Sequence, residues 1–429
     1  MNGARWLGSI GLATLALVLA ACKLGLATGG GSEGGGGSGE GGRSSSSSSS
    51  SSGGVTPLSL WQLAAGGDNT CLRSPLGHVA CWGSNEVGQL GLGDFQDRYE
   101  PTWIPGLDSV IEIAVGDFAM CALRADGSVW CWGMNAYGQL YAKTEDCPWL
   151  GYGCSPVPVK AAVTGAHHLV AGSHHFCALV GPENALECWG MAPGLETQGA
   201  LDVATGYWHS CIRFQPGPGE DPNRNVICDG HNDTGQLGIG STDIVAATPV
   251  IAGPAGGFVE LAAGLDFTCG VGADQSLRCW GQNVFACLGV GVSEDYYPEN
   301  CWNSGSCSTT PVPVPSLSGV AHVAVGFAHA CAITTDGAAH CWGTPSHTSP
   351  ASAGACWMPT PECAPTPQLV PGVTGAAAIA LGYGHACTMG SGGEVMCWGL
   401  DTHGQLGRGE PPALSFDPTP VVVSVPQEP

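Results

Sequence analysis

The decisive stretch is Ile113-Ala-Val-Gly116, Cys121-Ala-Leu-Arg-Ala-Asp-Gly127-Ser-Val-Trp-Cys131-Trp132-Gly133, and then Asn135-Ala-Tyr-Gly138-Gln139-Leu140. Cys121–Arg124 and Ser128–Trp132 flank Ala125-Asp126-Gly127. That is a three-residue hairpin loop with glycine where a positive φ is needed. Both faces of the flanking runs are apolar. Cys121 and Leu123 lie on one face and Ala122 on the other, opposed by Val129, Trp130 and Cys131. Strands apolar on both faces are buried on both faces.

The pattern recurs. Cys-Trp-Gly returns at Cys81, Cys188, Cys279, Cys341 and Cys397, with a degraded copy at Cys228-Asp229-Gly230. A Gly–x4–Cys element precedes every copy: Gly66/Cys71, Gly116/Cys121, Gly172/Cys177, Gly206/Cys211, Gly264/Cys269, Gly326/Cys331 and Gly382/Cys387. Residues 55–429 are therefore seven copies of about 54 residues each. Small sheets stacked face to face in a ring bury both faces, so the expected fold is all-β, a seven-bladed β-propeller. Pro-Val-type strands, such as Pro156-Val-Pro-Val159 and Pro311-Val-Pro-Val314, precede most copies. The first copy lacks one. Pro418-Thr-Pro-Val-Val-Val423 follows the last and is expected to complete blade 1 and close the ring.

These repeats resemble the regulator-of-chromosome-condensation family, whose copies carry Gly-x-x-His-x-Cys/Ala-x-Leu, Asp-Gly, Trp-Gly and Asn-x-x-Gly-Gln-Leu-Gly. The resemblance covers nearly all of residues 55–429. It implies the seven-bladed fold but no single function. The eukaryotic founder is a nuclear guanine-nucleotide exchange factor on chromatin, and secreted relatives are protein-binding modules.

Composition argues against the founder's role. Of 429 residues, 12 are basic and 35 acidic, a net charge of −23 that repels nucleic-acid phosphate. The 69 glycines and 31 prolines exclude a helical bundle. The 22 cysteines point to an oxidising compartment.

Residues 1–21 read as an export signal. Arg5 supplies the positive region, and Trp6–Leu19 an apolar run too short to span a bilayer comfortably. Leu19-Ala-Ala-Cys22 resembles the lipobox of bacterial lipoproteins, which implies lipidation of Cys22; Lys23 after it favours the outer membrane, on its surface or periplasmic side. Residues 22–54 form a Gly/Ser-rich tether with nine serines from Ser44 to Ser52. It contains nothing able to bury apolar surface and is expected to be disordered.

Fourteen cysteines pair across hairpins by spacing: Cys71/Cys81, Cys121/Cys131, Cys177/Cys188, Cys211/Cys228, Cys269/Cys279, Cys331/Cys341 and Cys387/Cys397. Positions 121 and 131 lie opposite across the turn, near disulfide reach. Three further pairs, Cys147/Cys154, Cys301/Cys307 and Cys356/Cys363, bracket loops of copies 2, 5 and 6 at one place in the repeat. Cys287 is left over, either free or competing for Cys301 or Cys307.

The three stapled loops carry Trp149, Tyr152, Tyr296, Tyr297, Trp302 and Trp357. Rigid aromatics on pre-ordered loops are typical interface anchors, and their planes serve equally to stack on sugars. The bland alternative is that they cover the propeller edge. His175, His209, His329 and His385 share one repeat position but sit in separate blades, so no metal site is expected. Residues 55–429 hold no His-Glu-x-x-His, Gly-x-Ser-x-Gly or Cys-x-x-Cys, and no cofactor is expected. The sequence thus points to a surface-tethered, non-enzymatic propeller that engages an extracellular or periplasmic protein or glycan. The alternatives are an extracytoplasmic, carbohydrate-active enzyme at the channel mouth or, against the charge and the export signal, an exchange factor.

Overall fold

A computed structural model describes residues 61–147, 151–192, 197–243, 251–291, 306–344, 364–411 and 416–429. They form seven antiparallel sheets, arranged as the blades of a β-propeller, and contain no helix among the described residues. Blade 1 is built in chain order from Gln62–Gly66, Asn69–Arg73, Val79–Gly83 and Arg98–Trp103. The other blades repeat this meander with two variations. Blade 2 adds Glu145–Asp146 as a fifth strand, paired outside Gly153–Lys160. Blade 3 has three strands among the described residues, Ala166–Ala171, His175–Val180 and Ala185–Gly190, and Leu186 N–H at its outer edge donates to the Thr197 carbonyl.

The hairpin behaves as its residues dictate. Gly127 sits at φ 78°, its N–H donates to the Arg124 carbonyl, and Cys121 faces Cys131 in register. Disulfides join the second and third strands of every blade, with Cα–Cα distances of 4.0–4.1 Å.

Blades adhere through repeated contacts. Trp82, Trp132, Trp280 and Trp342 are at most 1% exposed, and each indole Nε1–H donates to a carbonyl of the preceding blade. Trp189 does the same to Gln139. The shared histidines are the second contact: Nε2 of His175 meets Ser210 Oγ at 3.1 Å, that of His209 meets Thr268 Oγ1 at 2.9 Å, and that of His385 meets Thr70 Oγ1 at 2.9 Å. The repeat glycine makes room for the ring, since a Cβ on Gly206 would sit 2.5 Å from His209 Cε1.

Closure differs from the sequence expectation. The C-terminal strand Phe416–Val423 pairs with Val395–Leu400, Cys397 facing Val421, and so completes blade 7, not blade 1. Blade 1 takes its outer strand from its own copy, Arg98–Trp103. Each described Pro-Val strand belongs to the copy before it, and the described strands of every blade follow one another in sequence. The ring closes by packing: Tyr383 N–H donates to the Gly67 carbonyl, and the Trp82 indole to that of Gln405.

Candidate functional site

The short turns between first and second strands, and the long loops after third strands, emerge on one face; the hairpin tips emerge on the other. The blade 2 loop, which begins after Val129–Met134, therefore shares a face with the turns that follow each repeat glycine. The disulfide Cys147–Cys154 holds the blade 2 loop, and Tyr152 lies half-buried within it. Burial and the nearby Tyr137 and Glu86 raise the Tyr152 pKa. Trp149, Tyr296, Tyr297, Trp302 and Trp357 lie outside the described residues, as do Cys22, Cys301, Cys356 and Cys363. Cys307 is disulfide-bonded. Cys287 is a free, buried thiol, pushed up to about 12 by burial.

Next to Tyr152 the structure assembles a cluster that sequence reading missed. His174 of blade 3 is its centre. Its ring lies 5.5 Å from Tyr137, 5.0 Å from Tyr207 and 6.0 Å from Trp208, and stacks on Phe118 at 6.4 Å. Trp208 in turn stacks on His231 at 5.6 Å. Aromatic surface thus runs unbroken over blades 2, 3 and 4. Tyr137 is 50% exposed, and His174 only 8%.

The arc borders the channel mouth. Asp117, Ser173, Leu265, Phe327, Tyr383 and Gly67 line an axial cavity of about 50 Å3. Asp117 is 6% exposed, and the Tyr383 hydroxyl donates to its Oδ2 at 2.6 Å, reaching across the side-chain-free Gly67 of blade 1. Burial raises the Asp117 pKa, against the pull of His174 and of hydrogen bonds from Tyr383, Ser173 and Gly67. Burial also raises Asp68, and the charges of Asp117, Asp97 and Glu86 add to it.

These residues had one visible signal. The two positions after the repeat glycine read Gly67-Asp68, Asp117-Phe118, Ser173-His174, Tyr207-Trp208, Leu265-Asp266, Phe327-Ala328 and Tyr383-Gly384. In so regular a repeat, positions that change freely are those the fold leaves open. Of the four histidines, by contrast, His175, His209 and His385 are inter-blade contacts. No group of three or more His, Cys, Asp or Glu placed to hold a metal occurs among the described residues.

Two models of the regulator of chromosome condensation (RCC1) repeat match the chain, one over residues 77–123 and 126–179, the other over 110–139, 320–347 and 376–405. The ultraviolet-B receptor UVR8 of Arabidopsis thaliana is 25% identical over 364 residues, spanning 78% of this chain and 76% of the receptor. The secretion-regulating guanine nucleotide exchange factor of Bos taurus is 30% identical over 195 residues, 43% of this chain and 39% of that protein. Among solved structures, Saccharomyces cerevisiae Prp20p, which binds Gsp1p and histones, superposes with a TM-score of 0.64. It is 18% identical, and the match covers 86% of this chain and 88% of Prp20p.

Proposed function

Since this chain belongs to the regulator of chromosome condensation repeat family, we propose that it is a binding propeller without catalytic activity, which holds a protein or glycan on its loop face. The observation that carries this reading is the continuous aromatic arc Tyr152–Tyr137–His174–Tyr207–Trp208 beside a disulfide-held loop. Half-exposed aromatics on a rigid scaffold bind with little loss of conformational entropy. The stapled loops of blades 5 and 6, with Tyr296, Tyr297, Trp302 and Trp357, extend the surface in this reading. Family members that act through partners, such as Prp20p with Gsp1p and histones, support a binding role. Glycan-array screening and affinity capture with the full-length chain test it. Trp208→Ala and Trp149→Ala are expected to remove the signal; a ligand held equally well by both variants refutes the site.

The reading includes export and lipidation at Cys22, with residues 22–54 as tether. Inhibiting the lipoprotein signal peptidase is expected to accumulate a precursor; no accumulation removes the anchor from the proposal.

One observation favours a second reading. Asp68 and Asp117 stand close enough for their charges to interact, and burial raises both. Paired carboxylates with separated roles are the pattern of glycoside hydrolysis. Against this, Asp117 already accepts from Tyr383, Ser173 and Gly67, as a structural anchor does. Turnover of any oligosaccharide that disappears in Asp117→Asn would establish the enzyme.

A further inference from the structure

The charges of the propeller are segregated. Arg73, Arg124, Lys160, Arg213, Arg224 and Arg278 all stand at the hairpin ends of their strands. The opposite, loop face carries Lys143, Arg408 and, at the loop end of its strand, Arg98 as its described lysines and arginines, and Arg98 is engaged by Asp94 at 2.6 Å. Arg408 is engaged by Asp417 at 2.6 Å and Asp401 at 3.4 Å. The aromatic arc of blades 2–4 is flanked by acid on both sides. On blade 1 stand Asp68, Glu86 and Asp97, whose charges add, with His403 Nδ1 3.7 Å from Asp68 Oδ2. On the other side, the Gln236 amide spans Asp233 Oδ1 at 3.3 Å and Asp266 Oδ1 at 3.4 Å. Within the arc, His174 Nδ1 is buried among four rings and has no hydrogen-bond partner, while its Nε2 meets Tyr207 Oη at 3.3 Å.

We infer that the loop face takes a basic segment of a partner protein, inserting an Arg or Lys side chain over the Tyr207–Trp208 rings toward the Asp117 mouth. The inference rests on the binding reading above and gives the partner its chemistry. Two features select a cation over a neutral ligand. Aromatic faces attract guanidinium and ammonium groups. A net charge of −23 steers a basic partner inward, and low-dielectric walls focus that field at the mouth. Arginine suits the site better than lysine because its plane stacks on a ring while its fork reaches carboxylates.

Titration calorimetry of the full-length chain tests this, with hexa-arginine as probe and hexa-glutamate as control. Hexa-arginine should bind and hexa-glutamate should not. Trp208→Ala, Tyr137→Ala and the pair Asp233→Asn/Asp266→Asn should each weaken binding at least about tenfold. Tyr137, half-exposed, is the variant that keeps the fold. Asp126→Asn/Asp274→Asn, at the tips of the hairpin face, should change affinity less than about twofold. Equal loss from the hairpin-tip pair would mean attraction to net charge alone and overturns the inference. If an oligosaccharide binds and loses affinity in Trp208→Ala while hexa-arginine does not bind, the cation inference falls and the binding reading stands. If neither probe depends on Trp208 or Tyr137, both fall.

Discussion

The residue that best shows how this ring holds together is the buried histidine. His209 is fully buried, and burial, with smaller contributions from His175 and His231, lowers its pKa to about 3. His175 behaves alike at about 3 and His385 at about 4. A histidine with an ordinary pKa near 6.5 in the unfolded chain then favours the fold fully above that pH. The contribution is lost as pH falls toward the folded value, because the unfolded state binds the extra proton. Asp202 and Asp266, which burial raises to about 7, act oppositely, gaining stability as pH falls below 7. Replacing one histidine leaves those aspartates in place, so a comparison isolates its effect. Between pH 7.5 and pH 5, the stability gap between wild type and His209→Gln should narrow by about 2 kcal/mol in urea titrations. An unchanged gap would mean that His209 is not held neutral. Sequence reading placed these histidines in separate blades, as the structure does. It could not see their hydroxyl partners, because Ser210, Thr268 and Thr70 lie one position before the next blade's cysteine, where other copies have Ala, Met or Phe.

At the scale of the strand, the outer position separates what was legible from what was not. Seven copies were countable because Gly–x4–Cys survives in all of them. The ownership of the Pro-Val strands was not, because each lies between two copies and chain order suits either neighbour. Register decides it: Trp130 faces Lys160 and Cys131 faces Val159, within one copy. Two expectations follow from the outer strand. Removing residues 416–429 should cost on the order of 3 kcal/mol, from the burial of Val423 and one ladder of hydrogen bonds. The truncated chain should still unfold cooperatively; collapse of the whole domain would imply closure by a shared strand after all. Blade 3 supplies the natural counterpart. The described residues give Ala185–Gly190 no fourth strand, and Cys188 is half-buried, while the other thirteen hairpin cysteines are buried. Thiol–disulfide exchange requires access to sulfur. Under native conditions a small phosphine should therefore reduce Cys177–Cys188 first, read by alkylation and mass spectrometry. Earlier reduction of any other hairpin pair would contradict this.

For the whole molecule, the question is whether seven contiguous blades make a ring or a coiled row. In a row of repeats, each unit is held by its neighbours, and the terminal contacts are the weakest. Here the junction between blades 7 and 1 is furnished like the internal ones. Thr70 Oγ1 meets His385 Nε2 at 2.9 Å, as Thr268 Oγ1 meets His209 Nε2 at 2.9 Å between blades 4 and 5. Both threonine hydroxyls also donate at 3.1 Å to the Gln carbonyl of the preceding blade, that of Gln405 or Gln236. The Trp82 and Trp280 indoles bond those same carbonyls at 2.9 Å. Equal furnishing predicts equal cost. Thr70→Val and Thr268→Val each strand a buried imidazole nitrogen, and each should destabilise by about 1–3 kcal/mol. In a closed ring the two losses should agree within several tenths of a kcal/mol by chemical denaturation, and each should shift a single transition. If Thr70→Val is nearly neutral, or splits the transition so that blades 7 and 1 melt apart first, the junction is a dangling end. A closed ring also fixes what the loop face presents. Asp117 of blade 2 and Tyr383 of blade 7 meet only because blade 1 is held between their blades, its Gly67 leaving the gap they bridge. A loosened junction should then weaken the binding of any ligand that seats at the channel mouth. Thr70→Val should therefore lower that affinity even though Thr70 lies beneath the surface and touches no ligand.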